Sequence, residues 1–324
     1  MSESTLRQPR TLTPVDLASL LFLGAVWGGA FLFLRIAAPE VGPVWAAEFR
    51  LAIGSSVLLL FAGRRTFAAM RGRVIAFTIV GTTFAAIPFT CIAFASLTLP
   101  TGFTALLNAA TPLFTAALGV VVLHQVLSGR MVAGLAVGVV AVLVLVGWSQ
   151  LEPTPATLIA VAAGLGAPAS YAVAGTYVRA RLSDVPGVEL ATGMLLMGAL
   201  VTLPVAILTG APGTPTMAGV TSLVTVGVVS TALAWPVFYR VLARSTPTVA
   251  STVTFIVPVF AAAWGALVLG EAVGLELVAA FGLVLVSLLL VLGLTPALPL
   301  PAVRRLVAGG RAAARRRLTA SGSA

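Results

Sequence analysis

Ten stretches of about 20 mostly apolar residues follow one another along this 324-residue chain, and they constrain its fold more than any other feature. In lipid the backbone must bond internally, so each stretch of this length is typical of a spanning helix. An apolar content of 59% is more than a soluble core could bury. The sequence therefore predicts an all-α integral membrane protein with ten transmembrane helices, near residues 15–37, 43–62, 74–97, 101–123, 129–148, 156–178, 187–209, 217–239, 246–269 and 273–294.

The loop charges predict the orientation. All 19 basic residues are arginine, and 17 of them lie in the two terminal segments or in alternate loops. Short arginine-bearing loops stay on the cytoplasmic side, so both termini are predicted to be cytoplasmic, in the inner (plasma) membrane of a bacterium. Arginines scattered in this way form no single basic face, which argues against nucleic acid as a partner. The opposite loops carry the acidic residues Glu40, Glu152, Glu271 and Glu276.

The chain contains an internal repeat. A shift of 146 positions aligns residues 112–147 with 258–293 without a gap, with twelve identities in 36 pairs, and it pairs Asn108 with Thr254. A shift of 144 pairs Trp27 with Tyr171 and Gly54 with Gly198. The two halves thus derive from one duplicated five-helix unit, and because five is odd the second copy is predicted to be inverted in the membrane.

The repeat also divides the chain into segments. Two five-helix units of opposite orientation are predicted to be joined by a short outer linker and flanked by cytoplasmic tails. The predicted divisions are a tail at 1–13, the first repeat at 14–148, the linker at 149–155, the second repeat at 156–294 and a basic tail at 295–324.

Four segments resemble the EamA-type members of the drug/metabolite transporter superfamily. They are AVWGGAFLFLRIA at 25–37, EFRLAIGS at 48–55, ASLTLPTGFTALLNAATPLFTAALG at 95–119 and STVTFIVPVFAAAWGALVLGE at 251–271. The resemblance spans residues 14–294 and implies export of small molecules through a central cavity bordered by the first and sixth helices. The first repeat departs from the family pattern, with His124 and Gln125 where the second has Gly270 and Glu271.

Polar residues at bilayer depth need a packing or cavity explanation. Asn108 and Thr111 share a face of the fourth helix, while Ser251 and Thr254 lie in the ninth. Pro112 and Pro258 lie near the midplane, where a proline leaves a backbone carbonyl without its helical partner. We predict that these six residues line a polar cavity; the alternative is that the hydroxyl and amide groups only join helices.

Aromatic residues near the midplane are further candidates for the cavity wall. Trp27 and its repeat partner Tyr171 lie there, and an indole N–H needs an acceptor that lipid does not offer. Phe31 follows Trp27 by one helical turn. Trp235 and Trp264 are weaker candidates.

Two charges lie inside the second predicted helix. Glu48 and Arg50 are two residues apart, so their side chains point to nearly opposite faces and each needs its own partner. Arg50 is predicted to be an anion contact or gate; the alternative is a structural donor or a side chain that reaches the interface. Glu48 is the acid most deeply placed in a predicted span and is the candidate for coupling to protons.

The sequence lacks the residues that metal binding or enzymatic catalysis would require. The chain has one histidine and one cysteine, so no metal site, cofactor or catalytic dyad is predicted. We therefore expect a secondary transporter, not an enzyme, that exports amino acids, related metabolites or drug-like molecules by alternating access. An importer or lipid flippase on the same scaffold and a lipid-modifying membrane enzyme are the alternatives. The expected partners are a small-molecule substrate, the lipid bilayer and protons. The sequence leaves open whether the protein forms a homodimer.

Overall fold

Helices dominate the computed structural model, which describes residues 14–123, 128–148, 152–244 and 253–292. In these ranges we number the helices α1 to α13 in chain order, and we call the residues up to 148 the first half and those from 152 the second half. The helices are α1 (Pro14–Val41), α2 (Pro43–Met70), α3 (Val74–Val80), α4 (Ile87–Ala95), α5 (Thr101–Asn108), α6 (Thr111–Leu123), α7 (Gly129–Trp148), α8 (Pro155–Arg181), α9 (Gly187–Thr209), α10 (Met217–Gly227), α11 (Ala234–Arg244), α12 (Val253–Leu269) and α13 (Leu275–Leu292).

Seven helical stretches are long and apolar enough to cross a bilayer, and three shorter apolar helices accompany them in the described ranges. The long stretches begin at Pro14, Pro43, Val74, Thr101, Pro155, Gly187 and Met217. Each begins within one residue of a predicted span. The described part of the chain is thus all helical, as predicted, and its long apolar helices are those of a multi-pass membrane protein. The start predicted at residue 246 falls in 245–252, outside the described residues.

Two of the long stretches contain a π-helical turn. The first π segment, Gly81–Ala86, joins α3 to α4, and the second, Val228–Leu233, joins α10 to α11. A π turn widens the helix by one residue and leaves a carbonyl free to accept another donor. The internal repeat pairs Gly81 with Gly227, and the second segment begins at the next position. This irregularity therefore occurs at matched places in the two halves.

The fourth predicted helix is divided in two. Helix α5 ends at Asn108 and α6 begins at Thr111, with a turn at residues 109–110. Pro112 has no N–H to donate to the Asn108 carbonyl four residues earlier. The Thr111 hydroxyl donates to that carbonyl instead, at 2.9 Å. The carbonyl that the sequence predicted to lack its helical partner, that of Asn108, is therefore satisfied locally by Thr111.

Close helix crossings join the two halves. Helix α2 packs along α9, α7 along α13, and α1 along α12. At two crossings glycines let the backbones approach each other: a Cβ at Gly54 would lie 3.4 Å from the carbonyl oxygen of Gly227, and one at Gly198 would lie 3.0 Å from that of Gly81. Small residues permit such contacts between membrane helices. The internal repeat pairs Gly54 with Gly198 and Gly81 with Gly227, so the two crossings are a matched pair.

Acidic residues at equivalent positions, Glu40 near the end of α1 and Asp184 after α8, make a second matched pair of contacts. Glu40 accepts hydrogen bonds from the backbone N–H and the hydroxyl of Thr216, both at 2.8 Å, at the start of α10. Asp184, the repeat partner of Glu40, binds the guanidinium of Arg73 at the start of α3 through both carboxylate oxygens, at 2.7 and 2.8 Å. An acidic residue of each half thus binds the start of the third span of the other half, α10 or α3.

We expect the Arg73–Asp184 bridge to add a small, pH-dependent increment to stability. The Arg73 hydrogen bonds lower the pKa of Asp184, so the increment is present above the unfolded pKa of about 3.9 and is lost as the pH falls through the lower folded pKa. Asp184→Asn should therefore flatten the acid side of the thermal-stability profile of the detergent-solubilised protein. The exposed Glu152 provides the control: an equal flattening in Glu152→Gln would contradict the assignment.

Candidate functional site

A cavity of about 370 Å³ lies between the two halves. Helices α1, α2, α4, α5 and α6 and the first π segment contribute to its wall from the first half, and α8, α11 and α12 contribute from the second. This volume falls in the range of small-molecule pockets in proteins. Both halves are therefore needed to enclose it.

Seven of the predicted site residues line this cavity: Trp27, Phe31, Arg50, Asn108, Thr111, Tyr171 and Thr254. Pro112 and Pro258 are not among the lining residues, although each adjoins one, Thr111 and Val257 respectively. Ser251 lies outside the described residues. Glu48 is buried, with 5% of its surface exposed, and does not line the cavity.

The cavity wall is strongly aromatic. Trp27 contacts Trp235 edge to face with ring centres 5.8 Å apart, and Phe84 contacts Tyr171 at 5.1 Å and Trp235 at 6.0 Å. Phe31 and Phe89 also line the cavity. Rings in these arrangements hold one another in place and offer rigid apolar faces. The wall is therefore suited to a flat or apolar ligand body.

Crossed hydrogen bonds tie the first helix of each half to the π segment of the other. The indole N–H of Trp27 donates to the Ser230 carbonyl at 3.1 Å, and the Ser230 hydroxyl donates back to the Val26 carbonyl at 2.9 Å. In the other half, the Ser170 hydroxyl donates to the Thr83 carbonyl at 2.6 Å. Ser170 is the repeat partner of Val26, and Thr83 and Ser230 each stand third in their π segment. The wide turns thus supply the acceptors that a regular helix would have used internally.

Arg50 supplies the charge of the cavity. Its Nε donates to the Thr231 hydroxyl at 3.0 Å, and its guanidinium carbon lies 3.7 Å from the centre of the Phe89 ring. The described residues show no ion pair between Arg50 and Glu48, in agreement with their predicted opposite faces. Among the described lining residues, Arg50 is the one that carries a formal charge.

The polar groups of α5 and α6 present acceptors to the cavity. The hydroxyl hydrogens of Thr111 and Thr115 are donated to the carbonyls of Asn108 and Thr111, at 2.9 and 3.0 Å. The buried Oδ1 of Asn108 has no hydrogen-bond partner among the described residues. A buried acceptor without a partner is costly, so a ligand N–H or O–H that reaches Asn108 would be favourable.

A polar network lies next to the cavity residue Leu34 and one helical turn before Ala105. The Nη1 of Arg35 donates to the carbonyls of Ser96 and Leu97, at 2.7 and 2.8 Å, and its Nε lies 3.6 Å from Glu271 Oε1. The other oxygen of Glu271 accepts from the backbone N–H of Thr101 at 2.8 Å. The network joins α1, the connection after α4, the start of α5 and the end of α12.

Several wall residues carry no recognisable signal in the sequence. Phe84, Phe89 and Ile92 line the cavity, but an apolar residue in an apolar span does not distinguish cavity from lipid or packing. The internal repeat offers one clue, because a shift of 146 pairs Phe89 with Trp235, which was a weaker candidate. No group of three or more metal-ligating side chains occurs in the part of the chain that the structure describes.

The bilayer-length apolar helices and the cavity between the two halves define a multi-pass membrane protein with a small-molecule-sized site. The profile of the EamA-like transporter family matches residues 17–147 and again residues 158–293. The chain belongs to the EamA-like transporter family, which confirms the resemblance noted in the sequence. No curated protein matches the chain. A solved structure titled only "Crystal structure of protein" is 18% identical, with a TM-score of 0.60 over 87% of this chain and 99% of that one, and shows a similar fold.

Proposed function

We propose that this protein is a secondary transporter that exports small organic molecules from the cell by alternating access through the central cavity. The observation that carries the proposal is the construction of the cavity wall, to which both halves contribute and which crossed, matched contacts hold together. A wall shared by two related halves can open to either side when the halves rock against each other. Ten spans with both termini cytoplasmic, in the plasma membrane, complete the proposal.

The matched contacts support an inverted arrangement of the two halves. Glu40 holds the start of α10 and Asp184 is ion-paired at the start of α3, while Trp27 and Ser170 donate to opposite π segments. Contacts of this kind are expected when two copies of one unit are related by an axis in the membrane plane. In this arrangement the Arg35–Glu271 network closes the outer end of the cavity.

The proposed substrate contacts follow from the cavity lining. Trp27, Phe31 and Tyr171 provide apolar surface, while Asn108, Thr111 and Thr254 provide hydrogen-bonding groups. Small-molecule sites commonly combine a mainly apolar wall with a few polar groups that fix orientation. Coupling through Glu48 stays a prediction: its carboxylate is buried, and its Oε2 has no hydrogen-bond partner among the described residues.

Replacing Asn108 with alanine and Thr254 with valine in one variant should lower efflux by about tenfold or more, because two polar contacts of roughly 1 kcal/mol each are lost. The measurement is efflux from cells loaded with a labelled panel of amino acids and aromatic acids, with and without a proton gradient. Membrane abundance should be unchanged.

The control for this variant is Thr221→Val, an equivalent replacement at an exposed position of α10. It should leave efflux unchanged. If the double variant fails to accumulate as folded protein, or exports the panel at the parental rate, Asn108 and Thr254 are not substrate contacts.

A further inference from the structure

The charge of the cavity is unusually simple. Among its described lining residues, Arg50 is the single charged group, and no aspartate or glutamate lines the wall with it. Arg50 is deeply buried, with 7% of its surface exposed. A buried charge without a counter-charge is costly, so a site of this kind favours a ligand that brings one negative charge. A second negative charge on the ligand would find no second cation in this wall, and a positive charge on the ligand would find no anion.

The guanidinium of Arg50 is held on one edge and one face. Thr231 accepts from Nε at 3.0 Å, and the Thr231 hydroxyl donates in turn to the Val226 carbonyl at 2.8 Å. The π turn at Val228–Leu233 brings this hydroxyl within reach of that carbonyl, five positions earlier in the chain. The Phe89 ring covers the guanidinium face at 3.7 Å. Arg50 is thus fixed in one orientation.

The two terminal nitrogens of Arg50 remain available. Neither has a hydrogen-bond partner among the described residues, and neither is a fully buried atom, whereas the side chain lines the cavity. Two parallel N–H donors of a fixed guanidinium match the two oxygens of a carboxylate or sulfonate. The arrangement therefore presents a preformed anion fork at one side of an aromatic cavity.

We infer that the cavity selects organic monoanions, whose carboxylate or similar group binds the free edge of Arg50 while an apolar or aromatic body packs against the rings. The inference rests on the proposed transport function and adds the charge class of its substrate. Thr231 acts as a positioning residue, because it orients Arg50 without lining the cavity.

Three ligands with the same ring and different charge test the inference directly. Phenylacetate, phenethyl alcohol and phenethylamine are titrated into the purified wild-type protein, and binding is followed by the fluorescence of the tryptophans, since Trp27 and Trp235 line the cavity. One charge-assisted pair is worth about tenfold in affinity. Phenylacetate should therefore bind about tenfold more tightly than the alcohol, and the amine should bind most weakly. Equal or tighter binding of the amine overturns the inference, and this comparison needs no variant.

Variants then assign the preference to Arg50 and Thr231. Arg50→Gln should bind phenylacetate and the alcohol with similar affinity, and Arg50→Lys should lose part of the preference because a lysine lacks the planar fork. Thr231→Val keeps the side-chain shape but should weaken phenylacetate binding several-fold, whereas Thr231→Ser, which keeps the hydroxyl, should restore it. An unchanged preference in folded Arg50→Gln would show that Arg50 is only a structural donor and would overturn the inference.

Transport of permanently charged probes separates this inference from the proposed function. In proteoliposomes, benzenesulfonate should be taken up down its gradient faster than benzyltrimethylammonium, and neither crosses the lipid unaided. Equal or faster movement of the cation overturns the charge selection while leaving transport intact. If neither probe moves but phenylacetate still binds preferentially, the anion site stands and the transport proposal fails.

Discussion

Gly81→Ala should destabilise the protein by about 2–3 kcal/mol, the cost of overpacking a tight contact. A Cβ at this position would lie 2.7 Å from the backbone nitrogen of Gly198 and 2.8 Å from the carbonyl oxygen of Met194. Because both atoms belong to the backbone of α9, neither can turn aside, and the helices must separate at the crossing next to the first π segment. The midpoint temperature of thermal unfolding in detergent should fall clearly below that of the parent.

The matched control is Gly282→Ala in α13. A Cβ there meets no atom within 4 Å, so the change only adds helix propensity, worth up to about 1 kcal/mol in favour of the folded state. The position of this glycine in an apolar helix makes the two substitutions chemically alike. Equal unfolding temperatures for the two variants would mean that the Gly81–Gly198 crossing is not a tight contact.

Arg35→Ala should cost about 2–4 kcal/mol of stability, since it leaves the Ser96 and Leu97 carbonyls without their donor and the partly buried Glu271 carboxylate without its counter-charge. The side chains of Arg35 and Glu271 are 29% and 16% exposed, so solvent moderates the effect. The double charge exchange Arg35→Glu with Glu271→Arg should not restore stability. A glutamate cannot donate to the Ser96 and Leu97 carbonyls that Arg35 now binds.

The control for this prediction is Arg179→Ala. Arg179 is the repeat partner of Arg35 and is exposed, so its loss should change the unfolding temperature little. Thermal unfolding of the four proteins in the same detergent measures the effect. Full recovery in the charge-exchanged protein would show that only the ion pair matters and that the carbonyl contacts contribute nothing.

Much of the fold could be predicted because lipid leaves a spanning segment few choices. A bilayer demands about 20 apolar residues in helical form, so hydropathy placed a helix at 187–209, and the structure has Gly187–Thr209 there. The π turns and the division between α5 and α6 could not be predicted in the same way. The π turns depend on which donors from other helices reach the released carbonyls, as Trp27 and Ser170 do, and the division depends on the local donation from Thr111 to Asn108.

The candidate site was predictable where a residue was out of place in an apolar helix. Asn108, Arg50 and Thr254 are polar at bilayer depth, and each lines the cavity. Phe84 and Phe89 also line it but resemble every other apolar residue of their span. Sequence spacing separated the directions of Glu48 and Arg50, yet which of the two faces the cavity depends on how α2 packs against its neighbours.

The crossed bonds at the π segments bear on the origin of the chain. With the two units in the proposed opposite orientations, two separate copies of a half-length ancestor could have made contacts of this kind with each other, and the predicted linker at 149–155 would not be needed to form the cavity. Fusion instead frees the two walls from being identical. In a pair of identical copies the repeat partner of Trp27 would be a second tryptophan and that of Asn108 a second asparagine. Here the partners are Tyr171 and Thr254. The two sides of the site therefore differ and can distinguish one end of a ligand from the other.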